Sequence, residues 1–327
     1  MPLTTGCGPY HITNRMHRSM LMRSTHASLT TRDVMPAMYD AHMRRKLVVL
    51  GVLAGAMLLL AGVILIYLDY ADDKADAKAP TPAARLIAGH RGTTTGWDEN
   101  TLAAMTYAWP YADIIETDVR LTSDHKMVIM HDATLDRTTS CAGRVSSKTL
   151  AYIKACRTAH GDHPPSMRQW LQKADYLPGK RQLYLELKGT WTQAQVQGFV
   201  NEATRYDLGD ITANSFSEAA LAKVDRANDA LPDELAGRHL DTAWDEGGDP
   251  TQPFQHVCDH YAGYFNSLAY LKTQWVNSLQ QVCNPPTFVG VYGSLNTTAE
   301  YEQAFATGAQ VLVVEDPKGA RQWLAAR

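Results

Sequence analysis

The chain has 327 residues, enough for one large domain with a full core or two of ordinary size. Its formal net charge of -3, from 31 basic and 34 acidic side chains, excludes the basic footprint on which nucleic-acid binding depends. A hydrophobic content of 45% fits a globular body with one apolar segment attached.

In chain order, residues 1–46 come first, with Arg15, Arg18, Arg23, Arg32, Arg44, Arg45 and Lys46 against Asp33 and Asp40, and no hydrophobic period. They read as a disordered cytoplasmic tail. LVVLGVLAGAMLLLAGVILIYL follows, Leu47 to Leu68, without a charge or a proline. At about 1.5 Å per residue it spans roughly 30 Å as a helix, so it is expected to cross a membrane. The basic flank before it and the acidic DYADDKADAK after it keep the N-terminus cytoplasmic and export the rest, to the periplasmic or extracellular side. A cleaved signal peptide is the alternative, with MRRK as its basic head and ADA as its cleavage site. The apolar run is longer than the roughly 7–15 residues of such segments. Residues 69–84 are small, charged and proline-tipped, the composition of a linker. Cys141, Cys156, Cys258 and Cys283 all lie beyond the apolar run, an even number suited to an oxidising compartment. Their order favours Cys141–Cys156 and Cys258–Cys283, with the other two pairings open.

Over residues 85–327 short apolar runs alternate with stretches of helical spacing. RLIAG, DIIETDV, QLYLELK, DITANSF, RHLDTAW, YFNSLAY, TFVGVYG and QVLVVED read as strands. TLAAMTYAW, WTQAQVQGFVNEATRY, SEAALAKVDRA and TAEYEQAFATG read as helices between them. Eight alternations over about 240 residues have the size and rhythm of a (β/α)8 TIM barrel. A doubly wound sheet shares that rhythm, but here the polar residues of interest fall at the C-terminal ends of several strands, where barrel enzymes do their chemistry. KMVIMHD is then an extra strand, forming an inserted β-hairpin with the second barrel strand and bringing His131 to the same mouth.

Glu116 and Asp118 in IIETDV are two apart, so in a strand both side chains face one way. Like charges that close need a cation, and Glu186, at the end of another strand, supplies a third carboxylate. Such an all-oxygen set suits calcium or magnesium and suits zinc or copper poorly. His90 and His131 offer an imidazole pair near neutrality, one to take a proton and one to give it. Lys188, at i+2 from Glu186, is either a phosphate contact or an ordinary ion-pair partner. Glu99 and Asn100 either support a site residue or cap the following helix.

Six short motifs, GHRG at 89–92, DENT at 98–101, ETD at 116–118, HD at 131–132 followed by ATLDRTT, ELK at 186–188 and NSF at 214–216, resemble in order and spacing those of the glycerophosphodiester phosphodiesterase family. The resemblance covers Leu86 to Pro317. It implies a (β/α)8 barrel that hydrolyses glycerophosphodiesters with a divalent cation, Ca2+ or Mg2+, giving an alcohol and glycerol 3-phosphate. Glu116, Asp118 and Glu186 would be the cation ligands, His90 and His131 the acid/base pair, and Arg91 and Lys188 the phosphate contacts. Where many members carry Trp-Thr-Val-Asn this chain has VYGSLN, so Tyr292 would either take the stacking role against glycerol or headgroup or be a core residue. Near the last strand, VEDP replaces threonine-aspartate-x-proline, a change expected to touch headgroup choice. With the membrane anchor, lysophospholipids join glycerophosphodiesters as expected substrates. A sphingomyelinase D type of activity and a non-catalytic phosphodiester-binding module are the alternatives, and the oligomeric state is open.

Overall fold

Strand β1 (Leu86–Gly89) is followed by eight more: β2 (Ile114–Leu121), β3 (Met127–Ile129), β4 (Gln182–Leu187), β5 (Ile211–Ser215), β6 (Asp241–Glu246), β7 (Gly263–Ser267), β8 (Phe288–Leu295) and β9 (Val311–Val314). All but β3 pair in parallel in the order β1-β9-β8-β7-β6-β5-β4-β2, and β1 also pairs with β2, which closes the barrel. These coordinates are a computed structural model that describes residues 85–327 and three isolated N-terminal positions. Apart from those three, the expected tail over 1–46, the apolar run 47–68 and the linker 69–84 lie outside the described residues. Among the described residues, no helix is long and apolar enough to cross a membrane.

All eight expected barrel strands form. Most are buried on both faces, as parallel barrel strands must be, because side chains pointing one way fill the barrel and those pointing the other meet the helices. Ala88, Ile114, Tyr184, Ala243, Phe265, Val311 and Val313 plug the interior. The helices are α1 (Leu102–Ala108), α2 (Leu150–Ala155), α3 (Met167–Tyr176), α4 (Gln193–Ala203), α5 (Glu218–Asp229), α6 (Phe254–His260), α7 (Thr273–Val282), α8 (Thr298–Ala306) and α9 (Pro317–Ala325). Their starts are written locally: Ser166, Thr192 and Thr297 each form a capping box with Gln169, Gln195 and Glu300. Both expected disulfides are present, Cys141–Cys156 and Cys258–Cys283.

β3 runs antiparallel to β2, so the hairpin insertion is real. The segment after it has a small core of its own, Val128, Met130, Leu135, Val145, Ile153 and Cys156, with α2 and the first disulfide packed into it. The Met130 N–H donates to the Asp118 carbonyl and the Arg120 Nε donates to the His131 carbonyl, at 2.9 and 2.7 Å. These two bonds fix where the chain leaves β3, and so where His131 sits.

Candidate metal and acid/base centre

Sheet register brings the acidic groups together. Asp118 on β2 stands beside Glu186 on β4, and Glu116 beside Tyr184. Neighbours in register share a face, so all four side chains point inward. Carboxylate oxygens of Glu116, Asp118 and Glu186 lie within 4.8 Å of one another, and all three residues are buried. At such a separation two unit charges repel by about 4 kcal/mol in a medium of effective dielectric about 20, before the cost of burying each charge is added.

Protein cations offset part of this. The Arg91 backbone N–H donates to Glu116 Oε2 at 2.7 Å, and the guanidinium Nε lies 3.4 Å from Asp118 Oδ2. Lys188 Nζ lies 2.5 Å from Glu186 Oε1 and 3.3 Å from Asp118 Oδ1. Burial would raise the Asp118 carboxyl, yet Lys188, Arg91 and His131 together hold it below the usual carboxylate range. The other two go the opposite way: burial and the Asp118 charge push Glu116 up to about 8 and Glu186 up to about 7. Glu116 thus favours a proton at neutral pH and Glu186 is near its midpoint, the mark of a site short of positive charge. A convergent, hard, all-oxygen donor set with that deficit fits a divalent cation.

The GHRG turn carries Arg91 at φ 52°, in the left-handed region. A Cβ on Gly92 would approach the backbone of Ala104 and Met105 to 2.8 Å, and one on Gly89 would meet the Gly92 carbonyl. These glycines let the turn close on itself and on α1. Asn100, also left-handed at φ 60°, donates from Nδ2 to Asp118 Oδ2 at 2.8 Å and accepts from the Thr117 hydroxyl at 2.7 Å. The helix cap is Thr101 instead, so Asn100 supports Asp118.

Each histidine is paired with a carboxylate through Nδ1. His90 lies 2.8 Å from Glu315 Oε1, and His131 lies 2.7 Å from Asp132 Oδ1. Arg137, from the ATLDRTT motif, bridges Asp132 to Glu99, and Glu99 in turn holds Arg91 at 2.8 Å. The two imidazoles are displaced in opposite directions. Burial lowers His90, but its hydrogen bond to Glu315 and the Glu116 charge outweigh that and hold it above an ordinary imidazole. Burial dominates at His131 and holds it below, despite Asp118 and Asp132.

Both histidines, Arg91, Glu116, Glu186, Lys188 and Tyr292 line one cavity of about 260 Å³ at the C-terminal ends of the strands. Tyr292 meets Phe216 edge-on at 5.7 Å and donates its hydroxyl to the Glu246 carbonyl at 2.6 Å, so its ring faces the cavity while its polar end is spent. Lys188 lies in the cavity wall and is also the ion-pair partner of Glu186; both readings of it hold. Glu315 was expected on the substrate side, whereas the structure puts it behind His90, because β9 pairs directly with β1. Asn214 and Asp245 also line the cavity and had no assigned place. Alternation along β6 held the missing signal: Asp245 is two residues beyond Ala243, which faces the barrel interior.

Residues 90–232 match the model of the "Glycerophosphoryl diester phosphodiesterase family". Among curated proteins, a glycerophosphodiester phosphodiesterase of Caldanaerobacter subterraneus is 47% identical over 70 residues, 21% of this chain and 29% of that protein. The human glycerophosphodiester phosphodiesterase 1 is 34% identical over 119 residues, 33% of this chain and 35% of that protein. The chain thus matches well under two thirds of either relative's length. Of solved structures, an Oleispira antarctica phosphodiesterase in complex with the product sn-glycerol-3-phosphate superposes with a TM-score of 0.62 at 20% identity, covering 74% of this chain and 97% of that one. A glycerophosphodiester phosphodiesterase from Parabacteroides distasonis gives 0.62 at 19%, covering 76% and 99%. Such structural likeness shows the barrel, while residues 90–232 carry the likeness to the glycerophosphoryl diester phosphodiesterase family.

Proposed function

We propose that the protein hydrolyses glycerophosphodiesters to an alcohol and sn-glycerol 3-phosphate, using a divalent cation and the two histidines. The observation that carries this reading is the one cavity lined by Glu116, Glu186 and both imidazoles, with the Asp118 carboxylate within 4.8 Å of the other two. Glu116, Asp118 and Glu186 would hold Ca2+ or Mg2+, which when bound supplies Lewis-acid stabilisation of charge on a non-bridging phosphate oxygen. Arg91 and Lys188 place positive charge on the remaining phosphate oxygens. His131, kept low by burial, is free of a proton at neutral pH and accepts one from the attacking hydroxyl, either of water directly or of the glycerol itself, in which case water then opens the resulting cyclic phosphodiester to sn-glycerol 3-phosphate. His90, raised by Glu315, is the better proton donor of the two and passes its proton to the leaving alkoxide oxygen as the phosphorus–oxygen bond breaks. Each transfer is worth typically about 10²–10⁴-fold in rate. Asp132 and Glu315 hold the two rings in place.

Lysophospholipids are a second substrate class, favoured by Phe216, a large apolar side chain 46% exposed at the cavity. The apolar run 47–68 supports a membrane tether that keeps the exported barrel near lipid headgroups. The test is hydrolysis of glycerophosphoethanolamine and a lysophospholipid with EDTA and after adding back Ca2+ or Mg2+, in the wild type and in His90→Ala and His131→Ala. Turnover lost to chelation, restored by the cation and abolished in both variants is expected. Turnover indifferent to EDTA would remove the cation from the mechanism, and a wild type that binds sn-glycerol 3-phosphate yet cleaves nothing would make the barrel a binding module.

A further inference from the structure

The cavity's polar groups are almost all committed to one another. His90 is bonded to Glu315, Arg91 to Glu99 and Glu116, Lys188 to Glu186, and Tyr292 to the Glu246 carbonyl. Two places are exceptions: Arg91 Nε, which has only the 3.4 Å ion pair to Asp118, and the pair Asn214 and Asp245. Asn214 Nδ2 donates to Asp245 Oδ2 at 3.0 Å, but the Asn214 Oδ1 atom has no hydrogen-bond partner, although the residue is only 6% exposed. Asp245 is 3% exposed, and among the described residues nothing donates to its other oxygen. A buried polar atom without a partner costs about 1–3 kcal/mol, so a pair left half-satisfied in a cavity wall is built for something that enters the cavity.

We propose that Asn214 and Asp245 form a subsite that reads hydroxyl groups on one arm of the phosphodiester. The inference rests on the hydrolytic reading above and adds to it which part of the substrate is selected. The choice of a hydroxyl follows from donor and acceptor counting. With Asp245 ionised the pair presents two acceptors; with Asp245 protonated it presents one acceptor and one donor. A hydroxyl both donates and accepts, so a polyol satisfies either state. An ammonium group satisfies only the ionised state, and a trimethylammonium group, having no N–H, satisfies neither. Nor is an aromatic cage free for a trimethylammonium group, since Lys188 Nζ already lies 5.5 Å from the centre of the Phe216 ring.

The test compares three diesters: glycerophosphoglycerol, glycerophosphocholine and bis(p-nitrophenyl) phosphate, the last of which has no hydroxyl. Replacing both partners, in Asn214→Val with Asp245→Leu, removes the pair without orphaning either member; Asp245→Asn, which keeps the shape, is the companion should the double variant fail to fold. The expected result is a kcat/KM for glycerophosphoglycerol that falls about 10- to 100-fold relative to that for bis(p-nitrophenyl) phosphate. If glycerophosphocholine falls equally, the shared glycerol arm is the one read; if it does not, the leaving alcohol is. A parallel loss on all three substrates would overturn the subsite and make the pair a support of the fold or of the cation centre. A wild type that cleaves none of them defeats the hydrolytic reading instead. The subsite then stands or falls on whether sn-glycerol 3-phosphate, titrated calorimetrically, binds the wild type more tightly than the double variant.

Discussion

Glu315 reaches across the seam of the barrel to His90, its Oε1 atom 2.8 Å from Nδ1, tying the last strand to the first over a separation of 225 residues. The carboxylate fixes the ring's tautomer and stabilises its protonated form, as a carboxylate behind a catalytic imidazole does.

Removing that charge while keeping the shape, in Glu315→Gln, should cost about 10²-fold in kcat. The sign on pH follows from the cause. Glu315 raises the His90 pKa, so its loss lowers it, and the alkaline limb of the kcat/KM profile should move to lower pH. A profile that keeps its alkaline limb in the variant would show that Glu315 does not act through His90.

Cation uptake should strengthen as pH rises from about 6 to about 9. Glu116 and Glu186, pushed up to about 8 and about 7, hold protons that a cation must displace. Below both values the carboxyls are neutral and poor ligands; above both they are ionised and the protons no longer compete. Calorimetric titration of Ca2+ in buffers of different ionisation enthalpy should record one to two protons released near pH 7, and none at about pH 9.5.

Arg137→Ala should lower kcat with little change in thermal stability. The guanidinium is half exposed, so little burial is lost. It holds Asp132 and Glu99, which hold His131 and Arg91 in the cavity wall. A drop of about 10-fold or more in kcat, only partly restored in Arg137→Lys because lysine cannot bridge two carboxylates in one plane, is the expected pattern.

The Cys141–Cys156 bridge closes a 15-residue loop in the insertion that begins with β3. A loop of that size is stabilised by about 3 kcal/mol in the chain-entropy account. Replacing both cysteines by serine should therefore leave hydrogen exchange in the barrel strands unchanged and speed it across residues 133–158. Since His131 leaves β3 into this segment, activity should fall before the barrel melts on heating.

Much of this arrangement was legible in the chain itself. The strands announced themselves as apolar runs because barrel strands are covered on both faces, and the Glu116/Asp118 spacing located the triad because strand geometry makes positions i and i+2 neighbours. Harder to read were the relations made by closure. Nothing local in VVEDP says that Glu315 stands behind His90, since that follows only from β9 lying beside β1. Nothing local in GHRG says that Gly92 is needed for α1. Asp245 was hidden for another reason: a single acidic residue beside Glu246 at a strand end looks like an exposed turn, and only the inward direction shared with Ala243 and Asn214 reveals it.

Pairing of β9 with β1 also sets when the protein can begin to work. A chain folded only as far as β8 already holds both imidazoles and the three acidic groups, but it has neither the strand that seals the seam nor the carboxylate that raises His90. The cavity is therefore complete only once β9 has docked on β1.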